Sequence, residues 1–279
     1  MQLKLSIITI NFNNFEGLKR TAESIINQTW KDFEWIIIDG GSTDGSKEYI
    51  IDLNDNLSHS GWNPITYWCS ESDNGIYNAM NKGIVKANGD YLNFMNSGDC
   101  FYENGTLEKV NACFLGGEAD IYYGDIIIID RSVIVEYRKF HEPLDLFDVF
   151  YNKLGHQAQY IRTLLLKNNS FDEDYKIAGD HAKNIEFLMQ GYSFKHLPFY
   201  AAKFDNNGIS SRYNVNTAIE LKRIESEYFP NSVLLVLSRL YKYENGHIYQ
   251  RVNNILNKGG ILSLMLRLFL KIAGTKRKE

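Results

Sequence analysis

The stretch that decides the reading of this chain is "YLNFMNSGD", residues 91–99, in which five mostly apolar residues (Tyr91–Met95) run into a polar turn ending in one carboxylate, Asp99. A strand that empties into such a turn is a place to hold a metal or a phosphate, because strand ends in open α/β sheets border the ligand crevice. A metal grip normally draws on two acidic groups, and here Asn96 and Gly98 stand where carboxylates would serve. The turn therefore reads as a damaged metal site, a working variant of one, or a plain strand end, and its neighbours have to decide.

Working outward, the preceding sequence alternates between two periodicities. "LKLSIITINF" is a short run rich in β-branched residues, the pattern of a strand buried on both faces. "EGLKRTAESIINQ" places Leu18, Ala22, Ile25 and Ile26 on one helical face. "FEWIIID" (Phe33–Asp39) is a second buried strand stopped by "GGSTDGS", where Ser42 or Thr43 is expected to cap a helix starting near Ser46. "ITYWCS" is a third strand, "GIYNAMNKGIVKA" a helix, and "DYLNFM" a fourth strand. Strands and helices alternating at these spacings predict a mainly parallel central sheet flanked by helices. Its ligand crevice then gathers Asn11–Asn14, Asp39–Ser42, Ser70–Asp73 and Asn96–Asp99, four loops from four strands.

After Cys100 the pattern changes. "ADIYYGDIIIIDRSVIVEYRKF" reads as a hairpin, and "GDHAKNIEFLMQGYSFKHLPFY" as a helix with Ile185, Leu188 and Met189 inward, followed by a strand. From about Tyr213 the chain reads as helical, with the α/β unit expected to end near Gly208–Tyr213. The predicted division is an α/β domain over 1–212 and a helical extension over 213–279.

Composition narrows the function classes. With 44% hydrophobic and 23% charged residues in 279, a large buried core is expected and global disorder is not. A net charge of −4 gives no general attraction to nucleic acid, so no nucleic-acid partner is expected. Cys69, Cys100 and Cys113 form no CxxC pair, which fits a reducing compartment rather than a disulfide framework. The N-terminus reads as a strand and not as an export signal, so the expected location is cytoplasmic. No apolar run reaches the roughly 18 residues of a spanning helix.

On residues alone, Asp39 suits a hydrogen bond to a nucleotide base or ribose, or equally a turn. Phe12 reads as a core aromatic at a strand end. The glycines at 40, 41 and 45 do not make the GxGxxG dinucleotide fingerprint.

Taken together, "SIITINFNN", "IIIDGGSTDGS" and "SESDNGIYNAMNKGIVKANGDYLNFMNSGD" resemble, in order and spacing, the family 2 glycosyltransferases with the GT-A fold. The likeness is nearest to the bacterial exopolysaccharide branch of colanic-acid type and covers roughly residues 3–200. The resemblance implies that Thr9, Asn11, Phe12, Asn13 and Asp39 hold the nucleoside, with Phe12 against the base and Asp73 a further contact. Lys82, one turn into a helix pointing at the same rim, either neutralises diphosphate charge or is a solvated helix lysine, and Asn96 and Ser97 are expected on the donor side. The family's D-x-D turn aligns with "NSGD", so Asp99 alone is left to hold a divalent Mg²⁺ or Mn²⁺. Such hard cations keep waters and take substrate phosphate oxygens, so one carboxylate is chemically sufficient. "YKIAGDHAKNIEFLMQG" resembles the family's Glu-Asp signature, with Gly179 at the Glu place and Asp180 at the Asp. Asp180 is thereby the catalytic base, and His156 and Gln157 resemble an acceptor-side pair; His181 reads as a packing residue, with a second metal ligand as the alternative.

The tail "GGILSLMLRLFLKIAGTKRKE" carries a narrow polar stripe (Ser263, Arg267, Lys271) and a basic end, the pattern either of a helix lying in a membrane interface over 259–273 or of a core-packing C-terminal helix with a solvated end. The whole predicts an inverting glycosyltransferase that moves sugar from a nucleotide-sugar donor to a saccharide or lipid-linked saccharide acceptor, peripheral at the inner face of the cytoplasmic membrane. Three rivals stand beside it. A nucleotidyltransferase would carry a glycine- and Arg/Lys-rich first loop. A non-catalytic sugar-nucleotide binding module would explain the missing acids, and a nicotinamide oxidoreductase would need the absent fingerprint.

Overall fold

A computed structural model describes residues 4–116, 119–130, 133–206, 208 and 215–245. These fall into two compact units, divided between Ile224 and Glu225. The first is built on β1 (Leu5–Asn11), α1 (Phe15–Ile26), β2 (Phe33–Asp39), α2 (Ser46–His59), β3 (Ile65–Ser70), α3 (Ile76–Lys86) and β4 (Tyr91–Phe94). It continues through β5 (Cys100–Phe101), α4 (Thr106–Leu115), β6 (Ile121–Asp130), β7 (Val133–Arg138), β8 (Gln159–Arg162), α5 (Thr163–Asn168), α6 (Gly179–Met189) and β9 (Phe194–Asp205). Helix α7 (Val215–Tyr228) runs into the second unit, which holds α8 (Asn231–Asn245).

The nine strands form one sheet of order β3-β2-β1-β4-β8-β6-β9-β5, with β7 hydrogen-bonded to β6. The first four are mutually parallel, and β8 then enters antiparallel to both β4 and β6. Every residue of β1 is buried, as a strand covered on both faces requires. The predicted β6–β7 hairpin forms, with Ile126 opposite Arg138 and Asp130 opposite Val133.

Two local expectations are corrected. Helix α2 is not capped by Ser42 or Thr43: its N-cap is Gly45, at φ +94°, and the Asp44 carboxylate accepts from Ser46 N at 3.1 Å. Both Ser42 and Thr43 are drawn back toward the ends of β1 and β2, as described below. On α6 the buried apolar residues include Ile185 and Phe187, while Met189 is 56% exposed, because the helix ends there and Gly191 turns the chain away. No helix among the described residues is long and apolar enough to cross a membrane. The interface helix expected over 259–273 lies outside the described residues.

Candidate active site

The register of the parallel strands aligns three polar residues at one rim. Asn11 is the cross-strand partner of Asp39, and Asp39 of Ser70. The buried Asp39 carboxylate accepts from Asn11 Nδ2 at 2.7 Å, Ser42 N at 2.9 Å, Ser42 Oγ at 2.6 Å and Ser70 Oγ at 2.6 Å. Asn13 N donates to Ser42 Oγ at 2.7 Å, and Thr43 N donates to Asn13 Oδ1 at 2.9 Å, which locks the first loop to the second. Asn13 sits at φ +46°, a region asparagine tolerates better than most residues.

Phe12 is not core. It lies past the last hydrogen-bonded position of β1 and is 61% exposed, so the reading from residues alone is overturned. A Cβ built on Gly40 would lie 3.1 Å from the Phe12 ring and 2.7 Å from Asp73 Oδ2. Glycine there lets ring, carboxylate and β2 backbone converge on one spot. Asp73 Oδ1 accepts from Gly75 N at 2.8 Å and fixes the third loop. Lys82, in the second turn of α3, pairs with Glu71 Oε1 at 2.8 Å, and that bond holds the ammonium pKa above its ordinary value. Thr9 is not brought to the rim: it is buried in β1, and its hydroxyl accepts from Trp35 Nε1 at 2.9 Å.

The fourth loop is laced to α1. Thr21 Oγ1 donates to Asp99 O at 2.7 Å and accepts from Gly98 N at 3.0 Å, and Asn14 Nδ2 donates to Ser97 O at 2.9 Å. Asn96 Oδ1 and Ser97 Oγ are buried with no partner among the described residues. Asp99 is 6% exposed, and its Oδ1 accepts from Asp205 N at 3.0 Å. Burial pushes its carboxyl pKa up to about 7, against the lowering pull of His156 and of the Asp205 amide.

Asp180 occupies the first turn of α6, as the sequence pattern predicts. His181 N donates to its Oδ1 at 2.9 Å, and the Tyr77 hydroxyl lies 3.2 Å from the same oxygen. That hydroxyl donates to Ile177 O at 2.8 Å and accepts from Asp180 N at 3.2 Å. A Cβ on Gly179 would come within 2.8 Å of the Tyr77 ring. Tyr77 thus fills the room a side chain would need where the family pattern has Glu.

His156 joins the two halves. Its Nδ1 donates to Asp180 Oδ2 at 2.9 Å, while Nε2 accepts from Asn96 Nδ2 at 3.1 Å and lies 4.0 Å from Asp99 Oδ2. Burial disfavours the charged ring, yet the Asp180 hydrogen bond and charge, with Asp99 behind them, hold its pKa above the ordinary histidine value. For Asp180 burial works upward, but the His156 bond and charge win and keep the carboxyl below its usual range. Side-chain exposure rises along this line, from 8% at Asp99 through 13% at His156 to 23% at Asp180, so the open end is the carboxylate. Gln157 is 2% exposed and lies beneath the rim; its backbone carbonyl accepts from Asn93 Nδ2 at 3.0 Å. His181 packs as expected: it is 6% exposed, its ring centroid is 6.2 Å from that of Phe150, and burial drives its pKa down to about 4.

The sequence reading missed Ser42 as a ligand of Asp39, Asn14 and Thr21 as braces of the fourth loop, and Tyr77. Ser42 follows the strand-end Asp39, which is an available signal, whereas Asn14 caps α1 and Thr21 lies within it, with no acid beside them. Tyr77 lies 103 positions from Asp180 and carries no such signal.

A sheet whose parallel half ends in polar loops, faced by a carboxylate at a helix start, is the architecture of the GT-A fold. A model of the glycosyl transferase family 2 matches residues 6–166, more than half the chain, and the protein belongs to that family. It is 34% identical over 192 residues to "Uncharacterized glycosyltransferase Rv1514c" of Mycobacterium tuberculosis, covering 67% of this chain and 68% of that one. It is 33% identical over 184 residues to "PGL/p-HBAD biosynthesis glycosyltransferase" of Mycobacterium bovis, covering 64% and 68%. Among solved structures, S. aureus TarS 1-349 in complex with UDP superposes with TM-score 0.62 at 16% identity, over 93% of this chain and 76% of that one. The mannosyltransferase PcManGT of Pyrobaculum calidifontis, in complex with GDP-Man and Mn2+, gives 0.58 at 15% identity, over 98% and 81%. Against the longer TarS chain, this protein spans 37% of the length. At such identities the structures establish the fold, and the family match establishes a glycosyltransferase.

The family implies a divalent metal, and the donor set here fits one. Asp99 would offer hard carboxylate oxygens with few protein partners, and Asn96 Oδ1 and Ser97 Oγ are neutral oxygens without partners among the described residues. No group of three or more His, Cys, Asp or Glu side chains among the described residues is arranged to hold a metal, so Asp99 would rely on waters and substrate oxygens.

Proposed function

We propose that the protein is an inverting glycosyltransferase that moves a sugar from a nucleoside-diphosphate donor to a hydroxyl of a saccharide or lipid-linked saccharide in cell-surface glycan assembly. The observation that carries this reading is His156, hydrogen-bonded to Asp180 on one side and facing Asp99 on the other. It ties a donor-side carboxylate to a base-side carboxylate, which is what a one-step displacement between two substrates needs.

In this reading the acceptor hydroxyl lies against Asp180. As its oxygen bonds to the anomeric carbon, the bond from that carbon to the β-phosphate oxygen breaks and the nucleoside diphosphate leaves with the electron pair. Asp180 takes the hydroxyl proton. A carboxylate with a lowered pKa is a modest base toward a free hydroxyl, so transfer waits until the forming C–O bond has made that proton acidic. His156 holds Oδ2 while His181 N and the Tyr77 hydroxyl hold Oδ1, so the carboxylate cannot rotate and presents its remaining open side to the acceptor. Asp99, with donor phosphate oxygens, would hold the Mg²⁺ or Mn²⁺ ion, which supplies charge neutralisation at the leaving diphosphate. Phe12, Asp73 and the Gly40 backbone border the place for the base and ribose, with Asn11, Asn13 and Asp39 bracing it.

A UDP- or GDP-linked donor is supported by the nucleotides bound to TarS and to PcManGT. The name "PGL/p-HBAD biosynthesis glycosyltransferase" of the mycobacterial relative supports a transferase of a biosynthetic route, while the lipid-linked acceptor and the exopolysaccharide role rest on the sequence pattern and the motif resemblance. The division at 212, a cytoplasmic location and membrane contact through 259–273 belong to the same proposal. The test is a donor screen with purified protein, reading thermal shift and nucleotide release. A UDP- or GDP-sugar should raise the melting temperature, more so with Mn²⁺, and Asp180→Asn should keep that shift while losing transfer by roughly 10²–10⁴-fold. No shift with any sugar nucleotide would remove the donor site, and wild-type turnover in Asp180→Asn would remove the base. Liposome binding that survives deletion after Lys258 would remove the membrane contact.

A further inference from the structure

The segment that delivers Asp180, residues 171–178, contains no regular element in the first unit and borrows its rigidity from side chains of two helices. From α3, Asn81 Nδ2 donates to Phe171 O at 2.9 Å and to Glu173 Oε1 at 2.9 Å, Asn81 Oδ1 accepts from Phe171 N at 3.0 Å, and Asn78 Nδ2 donates to Glu173 Oε2 at 2.8 Å. From α7, one carboxylate does more. Glu220 is 8% exposed, and its Oε1 accepts from Lys176 N at 2.7 Å. Its Oε2 accepts from Ile177 N at 3.0 Å and Ala178 N at 2.8 Å.

Three successive backbone N–H groups therefore converge on a single buried carboxylate, immediately before the helix turn that carries Asp180. Ala178, the N-cap of α6, has no side-chain oxygen to cap its own helix, and Glu220 anchors the N–H of that residue and of the two before it, so the chain is held where it enters the helix. Charge-assisted bonds of this kind are short and directional, and an amide cannot supply them on both oxygens. The three donors fix the peptide planes from 176 to 178, and Tyr77 fixes the next step by binding Ile177 O and Asp180 N. Arg223, one turn further along α7, pairs with Asp172 at 2.7 Å in a more exposed position.

We infer that Glu220 is a positioning residue for the base: it sets the Asp180 carboxylate through the 176–178 backbone, and α7 is thereby a working part of the transferase site. The family match ends at residue 166, and the sequence pattern assigned residue 220 to an appended helix, so neither pointed to this role. The inference rests on the reading of Asp180 as base.

The test compares Glu220→Gln, Glu220→Ala and Arg223→Ala with wild type in steady-state transfer, with donor affinity and melting temperature measured alongside. A base displaced by a fraction of an ångström to an ångström should lower kcat by about 10-fold in Glu220→Gln and about 10²-fold in Glu220→Ala, with donor KM within about twofold. Arg223→Ala should stay within about threefold of wild type, because its partner lies eight residues before Asp180. In an Asp180→Asn background, Glu220→Gln should lower the residual rate no further. If Glu220→Ala proves unstable, Glu220→Gln, which keeps the shape and one accepting oxygen, carries the test. Unchanged kcat in a folded Glu220→Gln would overturn the inference. So would equal losses of kcat and donor affinity, or the same loss in the Asp180→Asn background. An Asp180→Asn protein with wild-type turnover would instead overturn the base assignment itself.

Discussion

Asp39 and Asp99 close the strands on either side of β1, and the protein treats them in opposite ways. Asp39 is buried and accepts hydrogen bonds from Asn11, Ser42 and Ser70, using both oxygens. Asp99 is nearly as buried, yet among the described residues it accepts one backbone hydrogen bond and faces an imidazole at 4.0 Å. Asp39 finds its hydrogen-bond partners inside the protein, whereas burial with few donors raises the Asp99 carboxyl and favours its protonated form. Asp39 is therefore a brace for three loops, completed from within. Asp99 has few partners inside the protein, and in the proposed reading substrate and metal would complete it.

Replacing each acid by its amide should separate the two roles. Asp99→Asn is expected to lower transfer by on the order of 10²–10³-fold and to abolish the response to Mn²⁺, since the leaving diphosphate loses its charge partner. Its folded stability should stay within about 1 kcal/mol of wild type, because an amide is cheaper to bury than an underpaired carboxylate. Chemical denaturation and metal titration check both halves. Asp39→Asn should do the reverse, lowering stability by roughly 2–4 kcal/mol as an NH₂ group meets hydrogen-bond donors, while the remaining folded enzyme keeps its metal response. Equal stability losses in the two variants would break the comparison.

The pH dependence of the metal-free protein sharpens it. The Asp99 pKa is raised by burial from 3.8 to about 7, so between those values the folded protein holds a proton that the unfolded chain has released. Stability from this group accordingly falls as pH rises through that window and is level above it. His156, raised by Asp180 and Asp99 in spite of its burial, adds stability below its ordinary value that is lost as pH climbs through its folded one. Asp180, lowered by His156, acts oppositely and only at the acid end, where its contribution disappears as pH falls below 3.8. The melting temperature should therefore decline from pH 5 to pH 8 without divalent cation. The slope should be shallower in Asp99→Asn, and Mn²⁺ should stabilise wild type most at the alkaline end. A flat profile for wild type would mean that Asp99 is better paired than its surroundings indicate.

Elements whose signal is local were legible in the sequence. The strand β1 announces itself by an unbroken apolar run, and the ends of β2, β3 and β4 by the polar residues that stop them. The site's second half was legible as a helix start at Asp180 and, through the family resemblance, as His156. Tyr77 and Glu220 come from an earlier helix and a later helix, and no periodicity links them. Register also decided what composition could not. Asn11, Asp39 and Ser70 become one network because β1, β2 and β3 align them, and Ser42 and Thr43 fold back onto that network in place of capping α2. Phe12 shows the opposite failure, since an aromatic beside a buried strand was assigned to the core although the strand's pairing stops one residue earlier.

Phe12 also supplies the smallest of the expected effects. At 61% exposure the ring contributes little to the folded core, so Phe12→Ala should leave the melting temperature of the free protein nearly unchanged. The ring stands beside Asp73 and the Gly40 backbone, and a nucleoside base laid on it would cover a face that water now wets. Aromatic stacking of that kind is worth about 1 kcal/mol, so nucleotide affinity should fall by roughly 5-fold with kcat little altered. Phe12→Tyr, which keeps the ring, should bind as wild type. If Phe12→Ala instead destabilised the free protein and left nucleotide affinity intact, the ring would be a structural part of the rim, and the exposed side of the Asp39 brace would have to meet the donor through Asp73 alone.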